Sequence, residues 1–120
     1  MSNAPEVAEA FLDAWTSRHF DRARELLHED LSFEGPIDRF TDPDSYLRAV
    51  QGLSQIITGI DKRKVFADGD DVCVIYDMHT GPVPDARIAE WYTVRDGRIA
   101  AISAVFDTRP FAPGFAEQQG

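Results

Sequence analysis

Beyond Gly59 the spacing of apolar residues changes from every third or fourth position to every second, and it keeps that period to Asp107. Alternation puts successive side chains on opposite faces, so each such segment reads as a strand with one apolar face. The segments are Lys62–Ala67, Val72–His79, Ala86–Val94 and Ile99–Asp107. Their connections are Asp68-Gly-Asp-Asp, Gly81-Pro-Val-Pro-Asp and Arg95-Asp-Gly-Arg, and the first and third hold the Asp-Gly pair that favours hairpins. Connections this short join antiparallel neighbours, so the second half of the chain is a meander.

The first half is helical. Pro5 to His19 carries Val7, Phe11, Ala14, Trp15 and Arg18 at helical spacing, with the proline in the first turn. Asp21 caps a second helix through His28, whose inner face is Ala23, Leu26 and Leu27. A short strand, Leu31 to Glu34, ends at Gly35-Pro36. Asp42-Pro43-Asp44 is an N-cap, a first-position proline and a first-turn acid. Tyr46, Leu47, Val50, Leu53, Ile56 and Ile57 supply that helix's stripe, and Gly59 supplies its stop. Helices followed by a meander define an α+β domain, here expected as one unit over residues 1–120. Helices laid against one face of a curved sheet would enclose a pocket. The tail, 108–120, is expected to be partly loose, with Phe111 and Phe115 packing locally.

Twenty-one acidic against twelve basic residues leave a formal charge of −9, which argues against nucleic acid and anionic membrane surfaces as partners. No signal peptide or membrane-spanning run is visible, and a cytoplasmic setting is expected. Cys73, the single cysteine, has no internal disulfide partner and is expected to be a small buried apolar group. His19, His28 and His79 are far apart in sequence, no metal-ligand spacing is present, and neither metal nor cofactor is expected. Asp107 and Arg109 read as a structural pair at a strand end.

Glu90 is the residue that alternation makes odd. It shares a face with Ile88, Tyr92 and Val94, while Arg87, Thr93 and Arg95 point the other way. A carboxyl on an apolar face must find a partner or stay protonated, and either state suits acid–base work. Asp77 and His79 share the face of Cys73 and Ile75. If that face looks inward, they converge on Glu90, with His79 as proton shuttle, Asp77 as its orienting group and Tyr92 as a phenol donor. The alternative for each is structural: a rim histidine, a salt-bridged aspartate, and a Glu90 that merely closes the interior through an arginine or a tyrosine hydroxyl. Trp91, Thr93, Ala100, Ile102, Ala104 and Phe106 are read as the outer sheet face, apolar enough to predict a two-fold homodimer.

The element order, with Leu27-His-Glu-Asp-Leu-Ser-Phe-Glu-Gly-Pro and Tyr92-Thr-Val-Arg-Asp-Gly-Arg-Ile, resembles the nuclear-transport-factor-2-like superfamily, and its SnoaL-like branch most closely. The resemblance runs from about Glu6 to about Pro110. It implies a conical barrel of curved, mostly antiparallel sheet wrapped around three helices, with an internal pocket and commonly a dimer through the outer face. It also implies a range of functions, from isomerases, dehydratases, polyketide cyclases and epoxide hydrolases to binding proteins without chemistry. Relative to ketosteroid isomerases, the base aspartate's place is Gly35, the first-helix tyrosine falls on Phe11, and the second acid matches Glu90. The SnoaL-like cyclases pair an acid at the Glu90 place with a histidine in a His-x-Gly context, here His79-Thr-Gly81. Limonene epoxide hydrolase-like members carry Arg-x-Asp on that strand, where this chain reads Asp77-Met-His79, and the missing arginine counts against epoxide hydrolysis. The resemblance therefore implies a cofactor-independent isomerase, cyclase or lyase acting on a small apolar carbonyl compound. Phe11, Trp15, Phe33, Tyr46, Val50, Ile75 and Ile88 would line its pocket. A ligand-binding or dimeric scaffold without chemistry, and a domain whose pocket is filled by side chains, stand as alternatives.

Overall fold

A computed structural model of the chain describes residues 3–83 and 85–111, apart from the side chain of Phe111. The expected loose tail beyond it, including Phe115, lies outside the described residues, as does Pro84 of the second connection. Helices α1 (Ala4–Thr16) and α2 (Phe20–Glu25) lead into strands β1 (Leu27–Glu34) and β2 (Arg39–Phe40). Helix α3 (Pro43–Ser54) follows, and then β3 (Ile57–Asp68), β4 (Asp71–Thr80), β5 (Ala86–Arg95) and β6 (Arg98–Phe106). The strands form one six-stranded sheet in the order β2-β1-β6-β5-β4-β3. Pairing is antiparallel except between β1 and β6. The sheet curves around the helices without closing, so β2 and β3 remain edges.

Local chemistry explains the boundaries. Asp42 caps α3 by accepting the Ser45 backbone N–H at 2.8 Å. The β5–β6 turn puts Asp96 at φ 56° and Gly97 at φ 73°, the pair of positive values that matches hairpin twist. Several boundaries differ from the sequence reading: α1 ends at Thr16 and not His19, β1 begins at Leu27 and not Leu31, and β3 begins at Ile57 and not Lys62. Helix α3 stops at Ser54, because the β-branched pair Ile57-Thr58 already belongs to β3 and Ile57 pairs with Thr80. Helix α2 stops at Glu25, since Leu27 already pairs with Ile99.

Inward parity on β4 belongs to Val72, Val74, Tyr76 and Met78, all buried. On β5 it belongs to Ile88, Glu90, Tyr92 and Val94. On β6 the register shifts between Thr93 and Val94, whose partners are Ala101 and Ile99, leaving Ala100 as an extra residue. That single insertion corrects the expected outer face. Ile102, Ala104 and Phe106 pair with Tyr92, Glu90 and Ile88 and face inward. Trp91 and Thr93 do face outward, together with Ala101, Ser103 and Val105. Cys73 also lies on the outer face, half-buried between Phe66 and Trp91, and not in the core.

The core sits between the helices and the inner sheet face. Phe11, Leu12 and Trp15 of α1 and Tyr46, Leu47 and Val50 of α3 pack over Val72, Val74, Tyr92 and Ile99. Tyr46 joins the layers: its ring stacks on Phe33 at 4.7 Å and on Phe11 at 6.1 Å. Phe11 also meets the Tyr92 ring edge-on at 6.4 Å. No described helix is long and apolar enough to cross a membrane. Phe11→Ala opens a void beneath three elements and is expected to cost about 3–5 kcal/mol, read from the midpoint of urea denaturation.

Candidate active site

Glu90 faces inward and is only 4% exposed. Its position follows from register: it pairs with Val74 on one side and Ala104 on the other, both inward residues. Two phenols meet its carboxyl. Tyr76 Oη donates to Oε1 at 2.7 Å and Tyr92 Oη donates to the same oxygen at 2.8 Å. Tyr92 stands two residues along the same strand and therefore on the same face. Among the described residues no group donates to Oε2. Burial raises the Glu90 pKa above the ordinary carboxylate value, and the two phenols oppose that rise. In turn, burial and the neighbouring carboxylate push the phenols of Tyr46, Tyr76 and Tyr92 well up, so these groups act as donors.

Glu90 borders a cavity of about 220 Å³. Trp15 of α1, Tyr46, Val50 and Leu53 of α3, and Phe33 of β1 line its helical side and mouth. Tyr76, Met78, Ile88, Ala104 and Phe106 line the sheet side. The volume lies below the roughly 300–1,000 Å³ of drug-sized sites. Of the expected lining residues, Trp15, Phe33, Tyr46, Val50 and Ile88 are present. Phe11 is fully buried behind Tyr46 and does not reach the cavity. Ile75 lies on the opposite sheet face, because its neighbours Val74 and Tyr76 take the inward positions.

The same parity removes the other two polar candidates from Glu90. Asp77 and His79 point to the outer face, so the expected convergence on Glu90 does not form. Asp77 is clasped there by Arg87 Nε at 2.8 Å and Arg63 Nε at 2.7 Å. Hydrogen bonds from Arg87 and then Arg63 hold its carboxyl well below the usual carboxylate range. His79 lies between Asp61 Oδ2, 2.8 Å from Nε2, and Asp85 Oδ1, 3.1 Å from Nδ1. Alternation carried the warning: Val72, Val74, Tyr76 and Met78 are the more apolar set of β4. Tyr92 is brought to Glu90 as expected, but as the carboxyl's own donor. The pairing expected of Asp107 is observed, with Arg109 Nη2 at 2.7 Å.

The sequence reading missed two groups at this cavity. Asp38, exposed in the β1–β2 loop, borders its mouth, and its carboxylate has no partner among the described residues. The loop is closed by Gly35 N–H donating to Asp38 O at 2.9 Å. Gly35 itself cannot carry a side chain freely, since a Cβ there would stand 3.2 Å from the Phe33 ring. Three residues beyond Gly35, an acid in the same turn was the signal available. Tyr76 was the other omission; it is inward on β4 at the position next to Asp77. Among the described residues no cluster of His, Cys, Asp and Glu is arranged to hold a metal ion.

Two pH and substitution effects follow. A raised folded-state pKa means the folded protein binds the extra proton, so Glu90's contribution is present below its unfolded value and fades as pH rises through the folded one. Wild type minus Glu90→Gln stability, measured by urea denaturation, is expected to fall with rising pH across that window. Tyr76→Phe and Tyr92→Phe each remove a donor to the carboxylate and are expected to raise the Glu90 pKa further. The carboxyl ¹³C shift on titration reads this directly.

The comparisons with known proteins agree with this fold. The sequence model of the SnoaL-like domain family matches residues 8–102. A crystal structure of a protein from Kribbella flavida DSM 17836 is 33% identical, covers 96% of each chain and superposes with a TM-score of 0.86. An NTF2-like protein of unknown function from Cytophaga hutchinsonii is 23% identical over 93% of this chain and 96% of its own, with a TM-score of 0.81. An LEH-like epoxide hydrolase of M. tuberculosis is 23% identical over 95% and 90% of the two chains, with a TM-score of 0.77. At that identity the likeness is one of fold. No curated protein matches. With its family model, its curved sheet over helices and its inward acid, the chain belongs to the SnoaL-like domain family, within the NTF2-like fold.

Proposed function

We propose that the protein is a cofactor-independent enzyme that moves a proton next to the carbonyl of a small apolar compound, in the manner of an isomerase, cyclase or lyase. The observation that carries this reading is Glu90 Oε2. Oε1 is saturated by two phenols, so any proton on the acid sits on Oε2, and Glu90 borders the cavity. There Glu90 donates to the substrate oxygen as the α-carbon loses its proton, and the enol forms with no metal. Asp38 is the second carboxylate, at the mouth and in water, where it takes the α-proton. Two acids in such different surroundings divide the roles of donor and acceptor. Tyr46 lines the same cavity and would support the same oxygen.

His79 and Asp77 are assigned no chemical step in this scheme, because their pairing lies on the other sheet face. Epoxide opening is disfavoured for the same reason, since Asp77 is taken by two arginines. A second reading, ligand binding without chemistry, is favoured by one observation: both phenols already spend their protons on Glu90. The outer face, with Trp91 54% and Val105 66% exposed, is proposed to pair two copies of the chain. A reducing, cytoplasmic setting suits its half-buried thiol, Cys73.

Cyclohexanone in deuterated buffer tests the reaction class. Wild type is expected to speed α-proton exchange, followed by ¹H NMR. Glu90→Gln and Asp38→Asn should each slow it by about 10²-fold or more. Exchange that is unaltered in both variants refutes the assignment, and a wild type no faster than buffer leaves the binding reading in its place.

A further inference from the structure

The cavity lining has an electrostatic bias that the proton-transfer scheme does not use. Its described residues include two acids, Glu90 and Asp38, and no lysine, arginine or histidine. Aromatic rings supply much of the remainder, among them Phe33, Phe40, Tyr46 and Phe106. Two oxygens in this lining are also unspent. Glu90 Oε2 and the Tyr46 hydroxyl have no hydrogen-bond partner among the described residues, although Glu90 is 4% and Tyr46 2% exposed. Neither oxygen is sealed: among the described residues, the buried side-chain nitrogen or oxygen that lacks both a partner and access to water is Trp15 Nε1 alone. Water can therefore reach both oxygens, and the cavity is the space that both residues line.

A carboxylate oxygen and a phenol oxygen that can both accept, set among aromatic rings with no competing cation, suit an ammonium group. Burying a cation is costly unless its N–H groups are paired. Here the charged acceptor is Glu90 Oε2, the neutral one is Tyr46 Oη, and solvent at the mouth beside exposed Asp38 takes a further N–H. The two phenols on Oε1 already favour the charged carboxylate that such a ligand needs. We propose that the cavity is a binding site for a small apolar amine, held as its ammonium ion by Glu90 Oε2 and Tyr46 Oη. This goes beyond the proton-transfer reading. Glu90 donates when protonated and accepts when ionised, so an amine and a carbonyl compound exclude each other from the cavity.

Cyclohexylamine and cyclohexanol share one ring and differ in the polar head, and the amine is protonated at neutral pH as a lysine side chain is. Dissociation constants from calorimetry at neutral pH are expected to favour the amine by about tenfold or more, the size of a hydrogen bond to a charged group. In Glu90→Gln the ratio of the two constants should fall to about one, since the amide carries no charge to pair. A second readout needs no variant: in wild type, the amine should lower the Glu90 pKa followed by its carboxyl ¹³C shift, and the alcohol should not. A preference that survives in Glu90→Gln belongs to the overall charge of −9 and overturns the proposal. An amine that binds no tighter than the alcohol, or that leaves the Glu90 titration in place, overturns it as well. Amine preference without α-proton exchange of cyclohexanone removes the chemistry and leaves this inference standing, and exchange without amine preference does the reverse.

Discussion

Burying the Glu90 carboxyl is the constraint around which the interior is arranged. Left unpaired, a charge in such a place would cost several kcal/mol. The fold answers with two phenols from adjacent strands, Tyr76 on β4 and Tyr92 on β5, converging on one carboxyl oxygen. Among the described residues no arginine bonds to it, so the carboxyl is steadied without being pinned in its charged form. Tyr46 joins Phe11 and Phe33 in ring contacts around it.

The sheet separates two electrostatic regimes a few ångströms apart. Tyr76 and Asp77 are neighbours in sequence, yet one serves the buried acid and the other an outer cluster with Arg63 and Arg87. His79 belongs to that outer side with Asp61 and Asp85. On the wet face, charge is balanced by opposite charge, and screening makes each exposed pair worth little. On the dry face it is balanced by neutral donors. This division is why a polar residue of β4 can be near Glu90 in the chain pairing and remote from it chemically.

Much of this was legible in the chain itself. Helix-then-meander order followed from the change of period at Gly59, and the Asp42 cap and Asp96-Gly97 turn appear where their chemistry placed them. Glu90's inward position followed from Ile88, Tyr92 and Val94. Parity of β6 was not legible, because Ile99 to Phe106 is apolar on both faces and one bulge at Ala100 decides it. Asp38 was hidden by its place in a turn, where no period applies.

Within each strand, then, the order of side chains settled which residues travel together. The choice of face came from pairing between strands, where a one-residue shift exchanges interior for exterior. Glu90 with Tyr92 is a property of the sequence. Glu90 with Tyr76, beside a cavity that Trp15 also lines, is a property of the folded sheet and helices, because only packing brings groups so distant in the chain together.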